Sequence, residues 1–393
     1  MTHRPTPPRL ASRMRAIEPF HAMDVLARAR ELEAAGRSIV HMEVGEPDFP
    51  TPQPVLDAAA RALARGSLPY TQALGLPALR EAIARFYATR YGLEVSPERV
   101  VVTAGGSGAL LLAMGVLVEP GEEVLMADPS YPCNRQFIRF VGGEPRCLPV
   151  GPETGWQPTA ELLEGNWTER TAAALIASPA NPTGTSIDFE RLREIAALAA
   201  RRGGALIVDE IYHGLTYGHD ARTALELPGR VFVVNSFSKY FDMTGWRLGW
   251  LVAPPEYVRE LEKLQQNLYI CPSNVAQQAA LAAFEPATLE LLEGRRRELQ
   301  ARRDFLLPAL RELGLELPVV PDGAFYLYAG CAGLAADSFA FALEILERAG
   351  VALTPGLDFG RHLPERHLRV SYTTSMENLQ VAVERLRGFL ARR

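Results

Sequence analysis

The chain has 393 residues, of which 48% are hydrophobic and 22% charged, and this composition excludes a disordered chain or a small disulfide-stapled protein. Its formal net charge of −5 gives no overall electrostatic reason to bind nucleic acid or an anionic membrane. The sequence has no run approaching the roughly 20 apolar residues that a membrane-spanning helix needs. We therefore expect a globular protein of about two to three domains, with neither nucleic acid nor a membrane as a partner.

The first two thirds of the chain alternate between helix-like and strand-like segments after a proline-rich N-terminal arm. Apolar residues at helical spacing predict helices at 55–65, 76–91, 109–118 and 188–202. Runs of β-branched and other apolar residues predict strands at 100–103, 123–127, 146–150, 172–177, 205–208, 231–235 and 248–252. Because these strands lack polar alternation and are interleaved with helices, they indicate a mostly parallel sheet covered on both faces.

Helical spacing dominates after residue 255. The predicted helices are 255–268, 273–284, 286–313, 337–349 and 376–391, with short strands at 324–328 and 367–372. We therefore predict an α/β fold with a large domain, residues 49–285, whose mostly parallel sheet lies between helices. A smaller α+β domain would be built from residues 286–393 together with the N-terminal arm, residues 1–48.

Cysteines and histidines give no sign of a disulfide framework or a metal site. The four cysteines are scattered, at Cys133, Cys147, Cys271 and Cys331. They lack Cys-x-x-Cys spacing, and the seven histidines include no His-Glu-x-x-His pair. We therefore expect reduced thiols, a cytoplasmic protein and no bound metal. The arm is rich in arginine and has no acid before Glu18, a pattern weakly similar to an organelle transit peptide; we prefer an extended arm.

Polar residues follow five of the predicted strands at their carboxyl ends. In an open parallel sheet, ligands bind just outside these ends, so the five segments should converge on one rim. They are Gly105-Gly106-Ser107-Gly108, Asp128-Pro129-Ser130-Tyr131, Ser178-Pro179-Ala180-Asn181, Asp209-Glu210-Ile211-Tyr212 and Ser236-Phe237-Ser238-Lys239. Each segment alone is weak evidence, but the five together predict a site.

The glycine-rich turn at 105–108 leads from a strand into a helix and suits a phosphate. Small residues let backbone N–H groups approach an anion, and the helix N-terminus adds positive potential. A tight turn with only a structural role remains an alternative. A dinucleotide site is another alternative, because Asp128 ends the next strand. The Gly-x-Gly-x-x-Gly fingerprint of such sites would need a glycine at position 107 or 111, where the chain has Ser107 and Leu111, and this disfavours a dinucleotide.

Lysine is almost absent from this chain. Only Lys239 and Lys263 occur among the 41 basic residues. Lys239 follows an apolar strand, where a charge is costly unless it is used, and only lysine can form a Schiff base. Lys263 falls in a helical pattern and is expected to be solvated. A solvated loop lysine is the alternative for Lys239, but the scarcity of lysine in this chain favours it as the candidate nucleophile.

Three further charged residues occur in or beside apolar strands. Asp209 ends such a strand and either caps the following turn or pairs with a buried cation, for which a pyridinium nitrogen is a candidate. Arg247 enters another apolar strand, which favours an anionic partner such as phosphate. Arg369 lies in a strand-like run, where its planar fork suits a carboxylate, although an exposed edge-strand arginine is the alternative.

With these residues in place, the chain resembles the class I/II pyridoxal-phosphate-dependent aminotransferases of the aspartate-aminotransferase superfamily, fold type I, along nearly its whole length. The most specific segment is Ser236-Phe237-Ser238-Lys239, followed eight residues after the lysine by Arg247. The other matching segments are Gly45-Glu46-Pro47-Asp48-Phe49, Pro69-Tyr70-Thr71, Ala104-Gly105-Gly106-Ser107-Gly108, Tyr131, Asn181-Pro182-Thr183-Gly184, Asp209, Tyr212 and Arg369. The segment Tyr240-Phe241-Asp242 departs from the family pattern.

The resemblance implies that pyridoxal 5′-phosphate is the cofactor and that the large domain binds it. Lys239 would form the Schiff base, and Asp209 would pair with the ring nitrogen. Tyr131 would stack on the ring, while Asn181 and Tyr212 would contact the phenolic oxygen. The resemblance assigns phosphate binding to Gly105, Gly106, Ser107, Gly108, Ser236, Ser238 and Arg247. It also implies a homodimer in which Tyr70 of one subunit contacts the cofactor phosphate of the other.

The activity implied by the resemblance is amino-group transfer between an L-amino acid and a 2-oxo acid by a ping-pong mechanism. Gly45, Asn181 and Arg369 would bind the substrate, with Arg369 on the α-carboxylate. A β-lyase on the same fold would use the same residues and is the alternative. A non-enzymatic ligand-sensing domain is a remote alternative, because no helix-turn-helix segment precedes residue 40.

Overall fold

The computed structural model describes residues 9–393, so Pro5, Pro7 and Pro8 of the N-terminal arm lie outside the described residues. Within that range the α-helices are α1 (His21–Ala34), α2 (Gln53–Ala64), α3 (Pro77–Tyr91), α4 (Gly105–Leu117), α5 (Pro132–Phe140), α6 (Ala160–Glu164), α7 (Phe189–Arg201), α8 (Pro255–Tyr269), α9 (Asn274–Ala280), α10 (Pro286–Glu312), α11 (Ser338–Ala349) and α12 (Met376–Leu390). The strands are β1 (Val40–His41), β2 (Val100–Thr103), β3 (Glu123–Asp128), β4 (Glu144–Pro149), β5 (Thr171–Ala177), β6 (Ala205–Asp209), β7 (Val231–Ser236), β8 (Gly249–Val252), β9 (Tyr326–Gly330), β10 (Val351–Ala352), β11 (Thr354–Pro355) and β12 (His367–Ser371).

A seven-stranded sheet organises the middle of the chain, in the order β2-β8-β7-β6-β5-β3-β4. Its strands are parallel except β8, which runs antiparallel between β2 and β7. Apolar side chains of α4 and α8 pack on one face and those of α7 on the other. The predicted α/β fold with a mostly parallel, doubly covered sheet is therefore confirmed, and the carboxyl ends of six strands share one edge.

Two smaller sheets join the two ends of the chain. In one, β11, β12 and β9 are antiparallel, and in the other β1 pairs in parallel with β10 through Val40 and Val351. Residues near the N-terminus thus extend a structure made from the last third of the sequence. Helix α10 begins at Pro286, next to the predicted boundary at 285, while the division into domains itself stays a prediction.

The expectation of an extended N-terminal arm is wrong for residues 21–34, which form helix α1. The carboxylate of Asp358 caps this helix, accepting the backbone N–H groups of His21 at 2.7 Å and Ala22 at 2.8 Å. Its buried face carries Val25 and Ala29, four residues apart. The cap comes from the other end of the chain, which local sequence patterns do not reveal.

The structure also contains helices α5 and α6 and the short strands β1, β10 and β11, which were not predicted, and several predicted elements have shifted ends. The helix predicted to begin at residue 109 begins at Gly105, so the glycine-rich segment is its first turn and not a separate loop. The strand predicted at 324–328 forms at Tyr326–Gly330. Across residues 9–393, no helix is long and apolar enough to cross a membrane, and no cluster of three potential metal ligands occurs.

Candidate active site

A cavity lies at the carboxyl edge of the large sheet, between that sheet and strands β9 and β12. Most residues predicted from the sequence to form a site line this cavity. They are Gly45, Gly106, Ser107, Tyr131, Asn181, Asp209, Tyr212, Ser236, Ser238, Lys239, Arg247 and Arg369. Three other predicted residues, Gly105, Gly108 and Tyr70, do not line it.

Lys239 follows β7 and extends its amine into the cavity. Its Nζ donates a hydrogen bond to the carbonyl oxygen of Gly45 at 2.8 Å. Burial, reinforced by the positive charge of Arg369, lowers the pKa of this amine to about 8. A neutral, nucleophilic fraction is therefore present near physiological pH. The other lysine, Lys263, lies half-exposed on α8, where it pairs with Glu260.

Asp209 ends β6 at the floor of the cavity. Its carboxylate accepts the backbone N–H of Ile211 at 3.2 Å. Burial raises its pKa to about 7, although the Ile211 hydrogen bond and the charge of Lys239 oppose this shift. A cationic ring nitrogen placed beside this carboxylate would stabilise its ionised form.

Hydrogen-bond donors cluster in the part of the cavity next to the first turn of α4. The N–H groups of this turn have no partner within the helix and are available to an anion. Gly105 allows Arg247 to lie against the turn, since a Cβ at this glycine would be 2.6 Å from the Arg247 Nη2 atom. Ser236 and Ser238 line the cavity here too. This combination suits a phosphate group.

Arg369 reaches the cavity from β12, and its guanidinium donates hydrogen bonds to Asn181, Glu43 and Thr354. Its Nη1 donates to Oδ1 of Asn181 at 3.1 Å, and its Nη2 donates to the carbonyl oxygen of Glu43 at 2.5 Å. Its Nε has no hydrogen-bond partner in the described chain although it is buried. A substrate carboxylate is the kind of partner this guanidinium lacks.

Two tyrosines meet beside Arg369. The hydroxyl groups of Tyr212, which follows β6, and Tyr326, the first residue of β9, lie 2.9 Å apart. Tyr131 lines the cavity directly before α5, and its hydroxyl oxygen accepts the Cys133 thiol at 3.2 Å. Asp242, which the sequence left unexplained, lies outside this cavity and pairs with Arg295 of α10 at 2.7 Å.

These groups fit pyridoxal phosphate on chemical grounds. The buried amine of Lys239 suits an aldehyde, the buried carboxylate of Asp209 suits a pyridinium nitrogen, and the α4 turn with Arg247 suits a phosphate. Arg369 lines the same cavity, and its guanidinium suits one substrate carboxylate. The fold and the site together define a pyridoxal-phosphate-dependent enzyme of fold type I.

Comparison with known proteins narrows this class. A model of the family "Aminotransferase class I and II" matches residues 37–386. The chain is 40% identical to the valine–pyruvate aminotransferase of Mycobacterium tuberculosis, over 95% of this chain and 97% of that one. It is 38% identical to the aspartate/prephenate aminotransferase of Thermus thermophilus, over 98% and 99% of the two chains. A crystal structure of an aminotransferase from Mycobacterium tuberculosis superposes with a TM-score of 0.95 at 39% identity, covering 98% of this chain and all of that chain.

The chain therefore belongs to the class I and II aminotransferases. It is a pyridoxal-phosphate-dependent aminotransferase that acts on amino acids and 2-oxo acids. The family supports transamination as the reaction, in preference to the β-lyase alternative. The remote alternative of a ligand-sensing domain is not supported.

Several residues that line the cavity were missed from the sequence. They are Phe20, Ala22 and Met23 at the start of α1, together with Tyr326, Asp358 and Phe359. The first group was missed because helix α1 was not predicted from the sequence. Tyr326 follows Gly323-Ala324-Phe325 and looks like any apolar strand residue in the sequence. Its place in the site depends on how β9 packs.

Proposed function

We propose that the amino donor is an amino acid with one carboxylate and an uncharged, mainly apolar side chain. The observation that carries this proposal is the apolar wall formed by Phe20, Met23 and Phe359 in the same cavity as Arg369. Such a wall favours the burial of an apolar side chain. The likeness to a relative named valine–pyruvate aminotransferase supports the same substrate class.

The charges around the cavity support this choice. Within residues 9–393, the lysine and arginine side chains that line it are Lys239, Arg247 and Arg369. Lys239 is assigned to cofactor attachment and Arg247 to the phosphate, which leaves Arg369 for one carboxylate. The carboxylate of Asp358, which caps α1, also lines the cavity and would disfavour a second negative charge. An acidic side chain would therefore bind less well.

The proposed chemistry assigns each proton to a group of this chain. Bound pyridoxal phosphate supplies an aldehyde that condenses with amines and a ring that accepts an electron pair from the substrate Cα. Lys239 would hold the cofactor covalently and, once displaced by the donor amine, would move the Cα proton to the C4′ carbon of the cofactor. Asp209 would keep a proton on the ring nitrogen. In the second half-reaction, with the 2-oxo acid acceptor, Lys239 would move a proton in the opposite direction, to the Cα of the new amino acid.

The remaining assigned residues would hold the cofactor and orient the substrate. Asn181 and Tyr212 would bind the phenolic oxygen, and Tyr131 would stack against the ring. Arg369 would orient the substrate so that the bond to be broken stands perpendicular to the ring. The proposed phosphate site consists of Gly105, Gly106, Ser107, Gly108, Ser236, Ser238 and Arg247.

We also propose a homodimer in which Tyr70 serves the partner subunit's site. The Tyr70 side chain is 78% exposed, although both neighbouring residues are anchored by hydrogen bonds. The Pro69 carbonyl oxygen accepts the Asn274 side-chain amide at 2.7 Å, and the Thr71 hydroxyl accepts that of Gln277 at 3.0 Å. Exposed apolar side chains flank this loop along the chain and at the end of α8: Leu56, Leu63, Leu68, Leu268 and Ile270. A partner subunit would bury this surface.

The cytoplasm remains the proposed compartment. The four cysteines are free thiols in the described structure, and Cys331 is buried. Unpaired thiols are typical of a reducing compartment.

A panel of amino donors and 2-oxo acids tests the substrate proposal. Valine, leucine, alanine, phenylalanine, aspartate and glutamate would each be paired with pyruvate and with 2-oxoglutarate, and oxo-acid exchange and ammonia release measured separately. We expect kcat/KM for the best apolar donor to exceed that for aspartate by about tenfold or more. A tenfold difference corresponds to about 1.4 kcal/mol, which the cost of burying the unpaired side-chain carboxylate of aspartate would supply. A preference for aspartate would contradict the substrate class, and ammonia without exchange would contradict transamination.

A further inference from the structure

Tyr326 is a buried residue of the cavity to which neither the family resemblance nor the comparisons assign a role. It begins β9, pairs in register with Ser371 of β12 and is 1% exposed. Its side chain leaves the three-stranded sheet and meets Tyr212, which follows β6 of the large sheet. Tyr326 thus joins two parts of the site that come from different sheets.

Three contacts converge on this side chain. Its hydroxyl lies 2.9 Å from the hydroxyl of Tyr212, and its ring centroid lies 4.5 Å from the Arg369 guanidinium carbon. Gly45, whose carbonyl oxygen holds Lys239, is the third neighbour, because a Cβ there would overlap the Tyr326 hydroxyl. Space for this hydroxyl therefore depends on the absence of a side chain at position 45.

The direction of the hydrogen bond between the two hydroxyl groups is fixed once a cofactor is bound. A tyrosine hydroxyl carries one hydrogen and can donate only one hydrogen bond. Burial raises the pKa of both tyrosines, so both protons are present at physiological pH. If Tyr212 donates to the phenolic oxygen of the cofactor, the bond between the two hydroxyls must be donated by Tyr326. A donor on the Tyr212 oxygen polarises that hydroxyl and strengthens the bond it donates onward.

We propose that Tyr326 is a positioning residue for transamination: it directs the Tyr212 hydroxyl proton toward the cofactor and supports the plane of the Arg369 guanidinium. The first effect requires the Tyr326 hydroxyl and the second its ring. The two effects can therefore be separated by Tyr326→Phe, which removes only the oxygen. The inference rests on the proposed contact of Tyr212 with the phenolic oxygen.

The test measures the pH midpoint of the change in visible absorption of the bound cofactor, in holoenzyme without substrate. Donation to the phenolic oxygen stabilises its ionised form, so loss of the donor chain raises this midpoint. We expect Tyr326→Phe to raise it by about 0.5–1 unit. We also expect kcat/KM to fall by about threefold to tenfold, alike for donors of different side chains, because the effect is on the reacting end of the substrate.

Tyr328→Phe is the matched control. Tyr328 lies two residues further along β9, is 5% exposed and does not itself line the cavity; its ring packs against Trp156 and Phe359, and the substitution keeps that ring. It should leave the absorption midpoint and kcat/KM unchanged. Retained cofactor absorption and an unchanged thermal midpoint would show that both variants fold.

Tyr212→Phe and the double variant Tyr212→Phe/Tyr326→Phe complete a double-mutant cycle with Tyr326→Phe. Since Tyr326 acts through Tyr212, the double variant should show no larger midpoint shift than Tyr212→Phe alone. Additive shifts, or no shift in Tyr326→Phe while Tyr212→Phe shifts, would overturn the inference and leave the proposed role of Tyr212 intact. No shift in Tyr212→Phe would overturn both.

Discussion

Lys239 owes its chemistry to the groups around it. The amine extends into the cavity and lies near two positive charges, those of Arg369 and Arg247, which add to the effect of desolvation. Glu46 and Asp209 oppose the shift without cancelling it, so the pKa falls from 10.5 to about 8. A lowered pKa keeps part of the amine unprotonated, which is the form that attacks an aldehyde.

We predict that attachment of pyridoxal phosphate to the apoenzyme accelerates with pH and levels off above a midpoint near 8. The protonated amine predominates below that pH and does not attack. Stopped-flow absorbance at a series of pH values would measure this midpoint. Arg369→Leu should raise it by removing a positive charge, whereas Lys263→Arg should leave it unchanged. A midpoint near the ordinary lysine value of 10.5 would contradict the assigned environment.

Strand β8 and helix α4 meet directly beneath the proposed phosphate site. A Cβ on Gly249, the first residue of β8, would lie 2.7 Å from the carbonyl carbon of Gly105 and 2.8 Å from the nitrogen of Gly106. These are backbone atoms, which cannot rotate away as a side chain can. The antiparallel β8 therefore fits between β2 and β7 only with glycine at its first position.

We predict that Gly249→Ala lowers the free energy of unfolding of the apoenzyme by about 1–3 kcal/mol, the usual cost of overpacking, and weakens pyridoxal phosphate binding. The weaker binding follows because the first turn of α4 must shift. Urea unfolding and cofactor titration would measure the two effects. Gly245→Ala is the matched control, since a Cβ there would meet nothing within 4 Å. Equal stability and cofactor affinity in the two variants would refute this account of Gly249.

At the scale of the whole molecule, the proposed dimer would complete the site with a residue from a second chain. The cavity collects residues from the N-terminal helix, the large sheet and the C-terminal strands, yet Tyr70 does not line it and is exposed. Helix α2, the Tyr70 loop and the end of α8 carry the exposed apolar side chains that the proposed dimer would bury. The site would then be completed only by assembly.

We predict that Lys239→Ala and Tyr70→Ala complement each other in mixed dimers. If Tyr70 acts on the partner subunit's site, one site per heterodimer keeps both a native lysine and a native tyrosine, and activity returns. Co-refolded mixtures would be assayed beside each variant refolded alone, with native mass spectrometry to show that heterodimers form. Heterodimers no more active than the average of the two parents would refute the shared site.

The amino-acid sequence by itself determined the sheet and most of the site residues. Strands that are buried on both faces appear as unbroken apolar runs, and a polar residue directly after such a run marks the carboxyl edge. Asp209 after β6 and Lys239 after β7 were found in this way. The scarcity of lysine made Lys239 the clear candidate, and the family resemblance assigned the roles that remain proposals.

Only the tertiary structure decided the features that depend on residues far apart in the chain. Asp358 caps α1 from more than 330 residues away, β1 pairs with β10, and β8 turns antiparallel between two strands. Tyr326 reaches Tyr212 across 114 positions. Hydrophobic periodicity reports which face of an element is buried, but not which distant element covers it, because that choice is made by packing of the whole chain.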